Sequence, residues 1–318
     1  MISKKMLLDN TGKDISAKLK KMNYNLITYL KNDNDKSISE LISGNIQEFE
    51  DENIINIKEC LFRACRELTN VNLPKCTNVG ERSFFLCTAL ETVNLPECIT
   101  VGDEAFGNCV ALSNVNIPKC IELGGYAFVT CKSLESIELP ECITVGSAAF
   151  EGCTALKKIE LPKCITLDGT VFQSCKSLSV ITLPECVKIC SYTFQYCSAL
   201  ETVNLPKCTN VDDYAFQRCN NLKNVNLPEC TNVGGRSFFL CTALSKIIFQ
   251  KIKIMKARAF QDCSNLETLV IKNDTEVCVM WGEGTTDALS GTKIESGNGY
   301  IYVPDALVND YKKATNWS

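Results

Sequence analysis

Cysteine is the residue type with the most chemical potential in this chain. The 318 residues include 21 cysteines and no histidine. Cysteines recur at every eleventh residue from Cys65 to Cys241, and Cys263 resumes the series after Ile252 takes one place. Only three cysteines lie outside the series: Cys60, Cys190 and Cys278. Regularly spaced thiols could ligate a metal, act as nucleophiles or form disulfides, so each chemistry has to be weighed.

Neither metal binding nor nucleophilic catalysis suits this spacing. Zinc sites use short Cys-x-x-Cys pairs, and the nearest candidates, Cys60/Cys65 and Cys186/Cys190, are not part of a four-ligand set. A reactive thiolate needs an exposed, electropositive setting, whereas a periodic cysteine is expected to be buried. The absence of histidine excludes Ser/His/Asp and Cys/His catalysis. We therefore expect no metal, no cofactor and no catalytic residue.

Disulfides are also disfavoured. If the chain forms stacked coils, equivalent cysteines such as Cys87 and Cys109 lie about one strand spacing apart, a Cα separation that a disulfide tolerates. Their Cα–Cβ bonds would nevertheless point the same way, which fits the disulfide dihedral poorly. We expect mostly free thiols.

Composition narrows the class of protein further. The chain is 45% hydrophobic and 22% charged, with a net charge of −4. This charge does not favour nucleic-acid binding, and no apolar run is long enough to cross a membrane. The isolated glycines form no phosphate-binding loop. At the N-terminus, "MISKKMLLDNTGKD" shows no signal-peptide pattern. These features predict a globular protein that is not an enzyme.

A period of 22 residues organises the chain from about residue 46 onward. Phenylalanine recurs at this step from Phe62 to Phe260, and proline from Pro74 to Pro228. Two cysteines, half a period apart, fall in each unit. A fixed period of this length indicates a solenoid, so the cysteines are expected to form two stacked columns in its interior.

Each unit follows the pattern L-x-x-V/I-x-L-P-K/E-C-x-x-V/L-G-x-x-A/S-F-x-x-C. Its first nine positions match the leucine-rich repeat. In one copy, the alternation around Val93 and Leu95 predicts a half-buried strand, which Pro96 ends because proline has no amide proton. Gly102 predicts a tight turn, and Phe106 is expected on the returning side of the coil.

The residue after each proline alternates in charge along the solenoid. The series is Lys75, Glu97, Lys119, Glu141, Lys163, Glu185, Lys207, Glu229 and Lys251. Stacked strands lie about 4.8 Å apart, so each charge is expected to have two opposite neighbours. We interpret the column as a register device rather than a ligand contact.

The pattern divides the chain into three parts: a helical N-terminal cap over 1–45, the repeat solenoid over 46–271 and a C-terminal cap over 272–318. Residues 13–31 have the apolar spacing of an amphipathic helix, although a flexible tail is the alternative. The segment 300–303 predicts a strand, followed by a short helix from about Asp305. Five basic residues near the end of the repeats are interpreted as erosion of a terminal unit: Lys246, Lys251, Lys253, Lys256 and Arg258.

On these motifs, the chain resembles the BspA-like leucine-rich repeat family, also described as the Treponema pallidum type. The resemblance covers about residues 41–318 and includes the closing segment "IYVPDALVNDYKKATNW". It implies an α/β repeat solenoid, a right-handed coil with a parallel β-sheet on its concave face. It also implies a non-enzymatic binding role, often outside the cell, with adhesion to host matrix proteins in some members.

The exposed side of the strands is the candidate binding face. Its outward columns are rich in Asn and Thr, and the 22-residue register places no aromatic residue in them. The candidate residues are Asn70, Asn72, Thr92, Asn94, Asn114, Asn116, Ser136, Glu138, Lys158, Glu160, Thr182, Thr202, Asn204, Asn224 and Asn226. A solvated face without a partner is the alternative interpretation.

Two functional hypotheses remain open. The first is an adhesin-like or surface interaction module that binds a protein partner, such as a host matrix or neighbouring-cell surface protein, through the strand face. The second is an intracellular or particle-associated scaffold that docks through its N-terminal helical segment. The family resemblance favours the first, whereas the free thiols and the missing export signal favour the second.

Overall fold

A computed structural model describes residues 47–281, 287–314 and 317. Each repeat contributes two short strands, and the strands of successive repeats stack in parallel. The first series is β1 Glu48–Glu50, β3 Asn70–Asn72, β5 Thr92–Asn94, β7 Asn114–Asn116, β9 Ser136–Glu138, β11 Lys158–Glu160, β13 Val180–Thr182, β15 Thr202–Asn204, β17 Asn224–Asn226, β19 Lys246–Phe249, β21 Thr268–Ile271 and β23 Tyr300–Tyr302. The chain is therefore a parallel β-solenoid with 22-residue repeats.

A second series of strands follows the first within each coil, and the sequence pattern did not predict it. These strands are β2 Asn56–Ile57, β4 Asn78–Val79, β6 Thr100–Val101, β8 Glu122–Leu123, β10 Thr144–Val145, β12 Thr166–Leu167, β14 Lys188–Ile189, β16 Asn210–Val211, β18 Asn232–Val233, β20 Ile254–Lys256 and β22 Val279–Trp281. Most contain only two residues, too few for a period-2 alternation to be visible in the sequence.

Side chains alternate between core and solvent along the first strands, as the pattern predicts. In β5, Val93 is buried between the half-buried Thr92 and Asn94. Leu95 and Cys98 are fully buried in the same coil. The phenylalanines from Phe62 to Phe260 stack on one another with ring centroids 5.0–5.6 Å apart. One continuous apolar core therefore runs the length of the solenoid.

The returning side of each coil is made of turns rather than helix. Glu104 and Asn108 have φ of 52° and 60°, and equivalent residues in the other repeats share this left-handed conformation. Glu104, Phe106 and Asn108 donate backbone hydrogen bonds of 2.8 Å to carbonyls of the next coil. Because left-handed residues interrupt an α-helix, the α/β description is not confirmed, and the structure is a β-solenoid.

The first series of strands does not form one uninterrupted sheet. It divides into β1-β3-β5-β7, β9-β11, β13-β15-β17 and β19-β21-β23. Within these groups, a bond such as Leu139 N–H to Glu160 O (3.2 Å) joins the ends of neighbouring strands. The equivalent bond from Leu161 to Thr182 is not formed. Backbone pairing is therefore interrupted at three places on this side of the solenoid.

Both ends of the repeat array depart from the regular unit. Phe49, Ile54 and Ile57 are buried in the first coil, where they lie 22 residues before the buried Val71, Cys76 and Val79. The predicted N-terminal cap, 1–45, lies outside the described residues. At the other end, β22 and β23 extend both stacks of strands into the segment assigned to the C-terminal cap.

Helical structure in the described residues is confined to this end of the chain. It consists of 3₁₀ turns at Asp287–Leu289 and Asp305–Leu307 and of helix α1, Val308–Lys313. The Tyr311 hydroxyl of α1 accepts a 2.9 Å hydrogen bond from Cys278 N–H. None of the helical segments described has the length and hydrophobicity of a membrane span.

Candidate functional site

The periodic cysteines are buried thiols. Cys60 and Cys190 are half-buried, and the other cysteines are buried. Burial raises the pKa of the Cys98 and Cys109 thiols to about 12. Nucleophilic attack and metal ligation both require the thiolate, which such a pKa disfavours at neutral pH. In the part of the chain that the structure describes, no three Cys, Asp or Glu side chains are arranged to hold a metal ion.

We use the term strand face for the outward side of the first series of strands. All of the predicted site residues lie on it, and none is buried. The register places equivalent residues opposite one another, for example Asn72 beside Asn94 and Asn94 beside Asn116. The interruptions separate Asn116 from Glu138 and Glu160 from Thr182. The residues therefore form adjacent groups and not one unbroken array.

Asparagine amides form hydrogen-bonded ladders on this face. Asn94 Nδ2 donates to Asn72 Oδ1 at 2.8 Å, and Asn116 Nδ2 donates to Asn94 Oδ1 at 2.6 Å. Asn226 and Asn204 repeat the arrangement at 2.7 Å. An amide has two donor hydrogens and two acceptor lone pairs. A ladder uses one of each, so Asn94 retains one donor and one acceptor for a ligand.

The centre of the strand face is acidic. Glu138 and Glu160 are opposite each other in paired strands, and both are exposed. Lys158 Nζ lies 2.5 Å from Glu160 Oε1. The hydrogen bond to Glu160, together with the charges of both glutamates, raises the pKa of Lys158. One cation thus offsets two carboxylates, which leaves this part of the face negative.

Three clefts lie where strand pairing is interrupted. The cleft between β11 and β13 has a volume of about 660 Å³ and is lined by Leu161, Pro162, Val180 and Pro184, among others. A cleft of about 430 Å³ covers the gap between β7 and β9. Another, of about 690 Å³, covers the gap between β17 and β19. The interruptions in strand pairing therefore coincide with clefts on the strand face.

The prediction that the outward columns contain no aromatic residue is wrong. Tyr300 pairs with Thr268, and Tyr302 pairs with Val270, so both tyrosines extend the columns at the C-terminal end. The step from Thr268 to Tyr300 is 32 residues instead of 22, which is why extrapolation of the repeat missed them. The predicted strand at 300–303 was a usable signal, but its partner strand could not be identified from the period.

Several lysines near the end of the repeats have acidic partners. Lys251 lies 2.5 Å from Glu229, and Lys253 lies 2.8 Å from Glu276. Glu97–Lys119, Glu141–Lys163 and Glu185–Lys207 form the same contact as Glu229–Lys251, at 2.6 Å each. In this column Lys119, Lys163, Lys207 and Lys251 each form an ion pair with the glutamate of the preceding coil. Opposite charges of adjacent coils are therefore in contact, as the alternation predicts, although each of these lysines forms its ion pair with only one of its two neighbours.

Together, the repeat, the parallel strands and the buried Cys and Phe columns define a leucine-rich-repeat β-solenoid. The family model of the BspA type Leucine rich repeat region matches six copies over residues 39–140, 99–207 and 165–278. The chain therefore belongs to this family. None of the curated proteins matches it.

Several solved structures are similar to this chain. A leucine rich cell surface protein from Faecalibacterium prausnitzii is 18% identical, with 86% of this chain and 91% of that chain covered at a TM-score of 0.43. The pneumococcal vaccine antigen PcpA is 17% identical, with 84% of this chain and 76% of that chain covered at a TM-score of 0.47. The T. pallidum leucine rich repeat protein is 23% identical, with 70% of this chain and 82% of that chain covered at a TM-score of 0.38.

Proposed function

We propose that this protein is a non-enzymatic binding module that recognises a protein partner through its strand face. The observation that carries the proposal is the set of uncovered polar side chains held in register on a rigid stack of strands. Solenoids commonly bind partners through such extended surfaces. Amide ladders and the acidic centre around Glu138 and Glu160 provide directional and charged contacts on the same side.

We further propose an adhesin-like role at the cell surface, with a host matrix or neighbouring-cell protein as the partner. Membership of the BspA-type family supports this role. We assign no catalytic group to the repeat array, because all of its thiols except those of Cys60 and Cys190 are buried. The function then depends on surface complementarity alone.

Surface exposure is the first property to test. Intact native cells are treated with a protease, and this chain is then detected by immunoblotting beside a known surface protein and a known cytosolic protein. Cleavage without lysis is the expected result. If the chain is as protected as the cytosolic control while the surface control is cut, the adhesin role is excluded.

A charge reversal then tests the strand face against a partner captured in a screen of surface and matrix proteins. The variant Glu138→Lys/Glu160→Lys is expected to weaken binding by about tenfold or more. Glu59→Lys/Glu122→Lys makes the same change in net charge at exposed positions off the strand face. If the two variants bind equally well and both are folded, the centre of the strand face is not the contact surface.

A further inference from the structure

The last three strands of the strand face have a different composition from the repeats before them. Apart from Thr268, the outward positions in β19, β21 and β23 are aliphatic, aromatic or basic instead of Asn-rich. The outward residues are Lys246 and Ile248 in β19, Thr268 and Val270 in β21, and Tyr300 and Tyr302 in β23. We call this set the terminal patch.

Its aromatic residues are unusually accessible for their size. Tyr300 is 68% exposed and Tyr302 is 54% exposed, and their ring centroids lie 6.2 Å apart with a tilt of 43°. Ile248 and Val270 are half-buried in the same column as Tyr302. Tyrosine is enriched in protein interfaces and often dominates their binding energy. The terminal patch therefore carries the anchor type that the Asn-rich part of the face lacks.

Charge also distinguishes the terminal patch. Lys246 is exposed on it. Lys272 directly follows β21, two residues after the outward Val270, and is also exposed. In the described part of the chain neither lysine has an ion-pair partner. By contrast, Lys251, Lys253 and Lys293 are each paired with a glutamate. Two lysines without acidic partners, close to apolar side chains, favour binding of a ligand that contains carboxylates.

A cleft continues the terminal patch into the solenoid. The gap of about 690 Å³ between β17 and β19 is lined by Lys246, Ile248 and Gln250 on one side and by Asn226 and Pro228 on the other, with other residues around them. Its lining shares Lys246 and Ile248 with the terminal patch. A side chain of a ligand that lies across the strands can enter this cleft while its neighbours contact the tyrosines.

We propose that the terminal patch binds an extended acidic polypeptide segment that also carries an aromatic or aliphatic anchor. The anchor occupies the cleft beside Ile248. Acidic residues of the segment meet Lys246 and Lys272, and its remaining apolar side chains pack on Tyr300 and Tyr302. This inference rests on the proposed protein-binding function and assigns its strongest contacts to the C-terminal end of the strand face.

The test uses the full chain and a phage-displayed library of random 12-residue peptides. Selection is expected to enrich peptides with Asp or Glu close to Tyr, Phe, Leu or Pro. Affinity of the enriched peptides, measured by isothermal titration calorimetry, is expected to fall about tenfold or more in Tyr300→Ser/Tyr302→Ser. It should also fall in Lys246→Glu and with increasing NaCl. Circular dichroism establishes that each variant is folded.

Tyr126→Ser is the matched control, because Tyr126 is 46% exposed but lies on the returning side of the coil. Its affinity for the peptides should equal that of the unmodified chain. The proposal is overturned if no peptide is enriched, or if the enriched peptides bind the terminal-patch variants unchanged. Binding to a glycan array that is lost in Tyr300→Ser/Tyr302→Ser would also overturn it, since the ligand would then be a carbohydrate.

The two proposals fail in different ways. A captured protein partner that is sensitive to Glu138→Lys/Glu160→Lys but indifferent to the terminal-patch variants supports the strand face as a binding surface and overturns the terminal patch. A partner that is insensitive to all of these variants overturns both.

Discussion

The thiol of Cys87 lies 3.0 Å from the backbone carbonyl oxygen of Phe62, a residue of the preceding coil, and donates a hydrogen bond to it. Cys109 makes the same contact with Phe84, and Cys131 with Phe106. The other cysteine of the repeat differs, because Cys98 donates to Thr100 O within its own coil at 3.4 Å. Cysteine suits the position of Cys87 and Cys109 because it is small and apolar yet carries a weak donor. These thiols connect successive coils without a covalent bond.

Removing one such thiol should destabilise the array. Cys131→Ala takes away a fully buried sulfur and leaves a small cavity between coils, and we expect the free energy of unfolding to fall by about 1–2 kcal/mol. The measurement is a urea titration followed by circular dichroism. Cys60→Ala is the control, because Cys60 is only half-buried, and it should change stability by less than about 0.5 kcal/mol. Equal effects of the two substitutions would contradict the role of the intercoil thiol.

Alkaline pH should destabilise the protein through its cysteines. Burial raises the pKa of Cys98, Cys109, Cys142 and Cys153 to about 12, against 9.0 for an unperturbed thiol. The contribution of this pKa difference to the free energy of unfolding is fully present below pH 9. It is lost as the pH rises toward 12, because the unfolded chain releases protons that the folded chain retains. Each such thiol contributes a slope of about 1.4 kcal/mol per pH unit in this window.

Urea titrations with a reductant at pH 7.0, 8.5, 9.5 and 10.0 measure this slope. Lysine and tyrosine also titrate near pH 10, so the informative comparison is with Cys98→Ala/Cys142→Ala. That variant should lose stability less steeply above pH 9 than the unmodified chain. Parallel pH profiles would show that the buried thiols are not the groups responsible.

Thiol labelling tests independently whether the periodic cysteines are buried. With a chromogenic disulfide reagent at pH 8, Cys60 and Cys190 should react first, because they alone are half-buried. The remaining thiols should react only as coils open, and all 21 should react in denaturant. Mass spectrometry of peptides labelled at early times identifies the sites. Early labelling of Cys109 or Cys153 would contradict a closed core.

Much of the fold could be predicted from the sequence because the same residue pattern recurs in each repeat. The alternation at Val93 and Leu95, the end of the strand at Pro96 and the inward positions of Phe106 and Cys109 were each predicted from one unit and are confirmed. Stacking then follows from the need to bury these side chains between neighbouring coils.

The features that the sequence did not predict depend on relations between coils. The returning segment has no helical signal, and its left-handed residues, such as Glu104 and Asn108, are not glycines. Tyr300 and Tyr302 enter the strand face after an irregular step of 32 residues, so the period could not place them. The three interruptions in strand pairing fall between coils that share the same repeat pattern, so the pattern could not locate them. The strand face could therefore be predicted, but its clefts and its terminal patch could not.

Close packing of the turn after the second strand makes Gly124 difficult to replace. A Cβ atom on Gly124 would lie 2.5 Å from the backbone nitrogen of Asp103 and 2.6 Å from the carbonyl carbon of Gly102. Gly124→Ala should therefore lower the free energy of unfolding by about 1–3 kcal/mol, measured by urea titration. Gly169→Ala is the control, since its nearest contact would be Ser191 O at 3.3 Å. An equal loss in both variants would mean that the contact with Asp103 is not responsible.

Reversing one charge tests whether the lysine–glutamate column holds adjacent coils in register. Lys163 Nζ lies 2.6 Å from Glu141 Oε2 in an exposed pair. In Lys163→Glu, three glutamates, at positions 141, 163 and 185, would follow one another along the stack. Exposed pairs contribute little, so we expect a loss of about 0.5–1 kcal/mol at low salt. Half a molar NaCl should remove most of it by screening. Lys132→Glu changes the net charge equally at an exposed position outside the column, and it should have little effect at either salt concentration. A loss that persists in high salt would instead point to packing by the aliphatic part of Lys163.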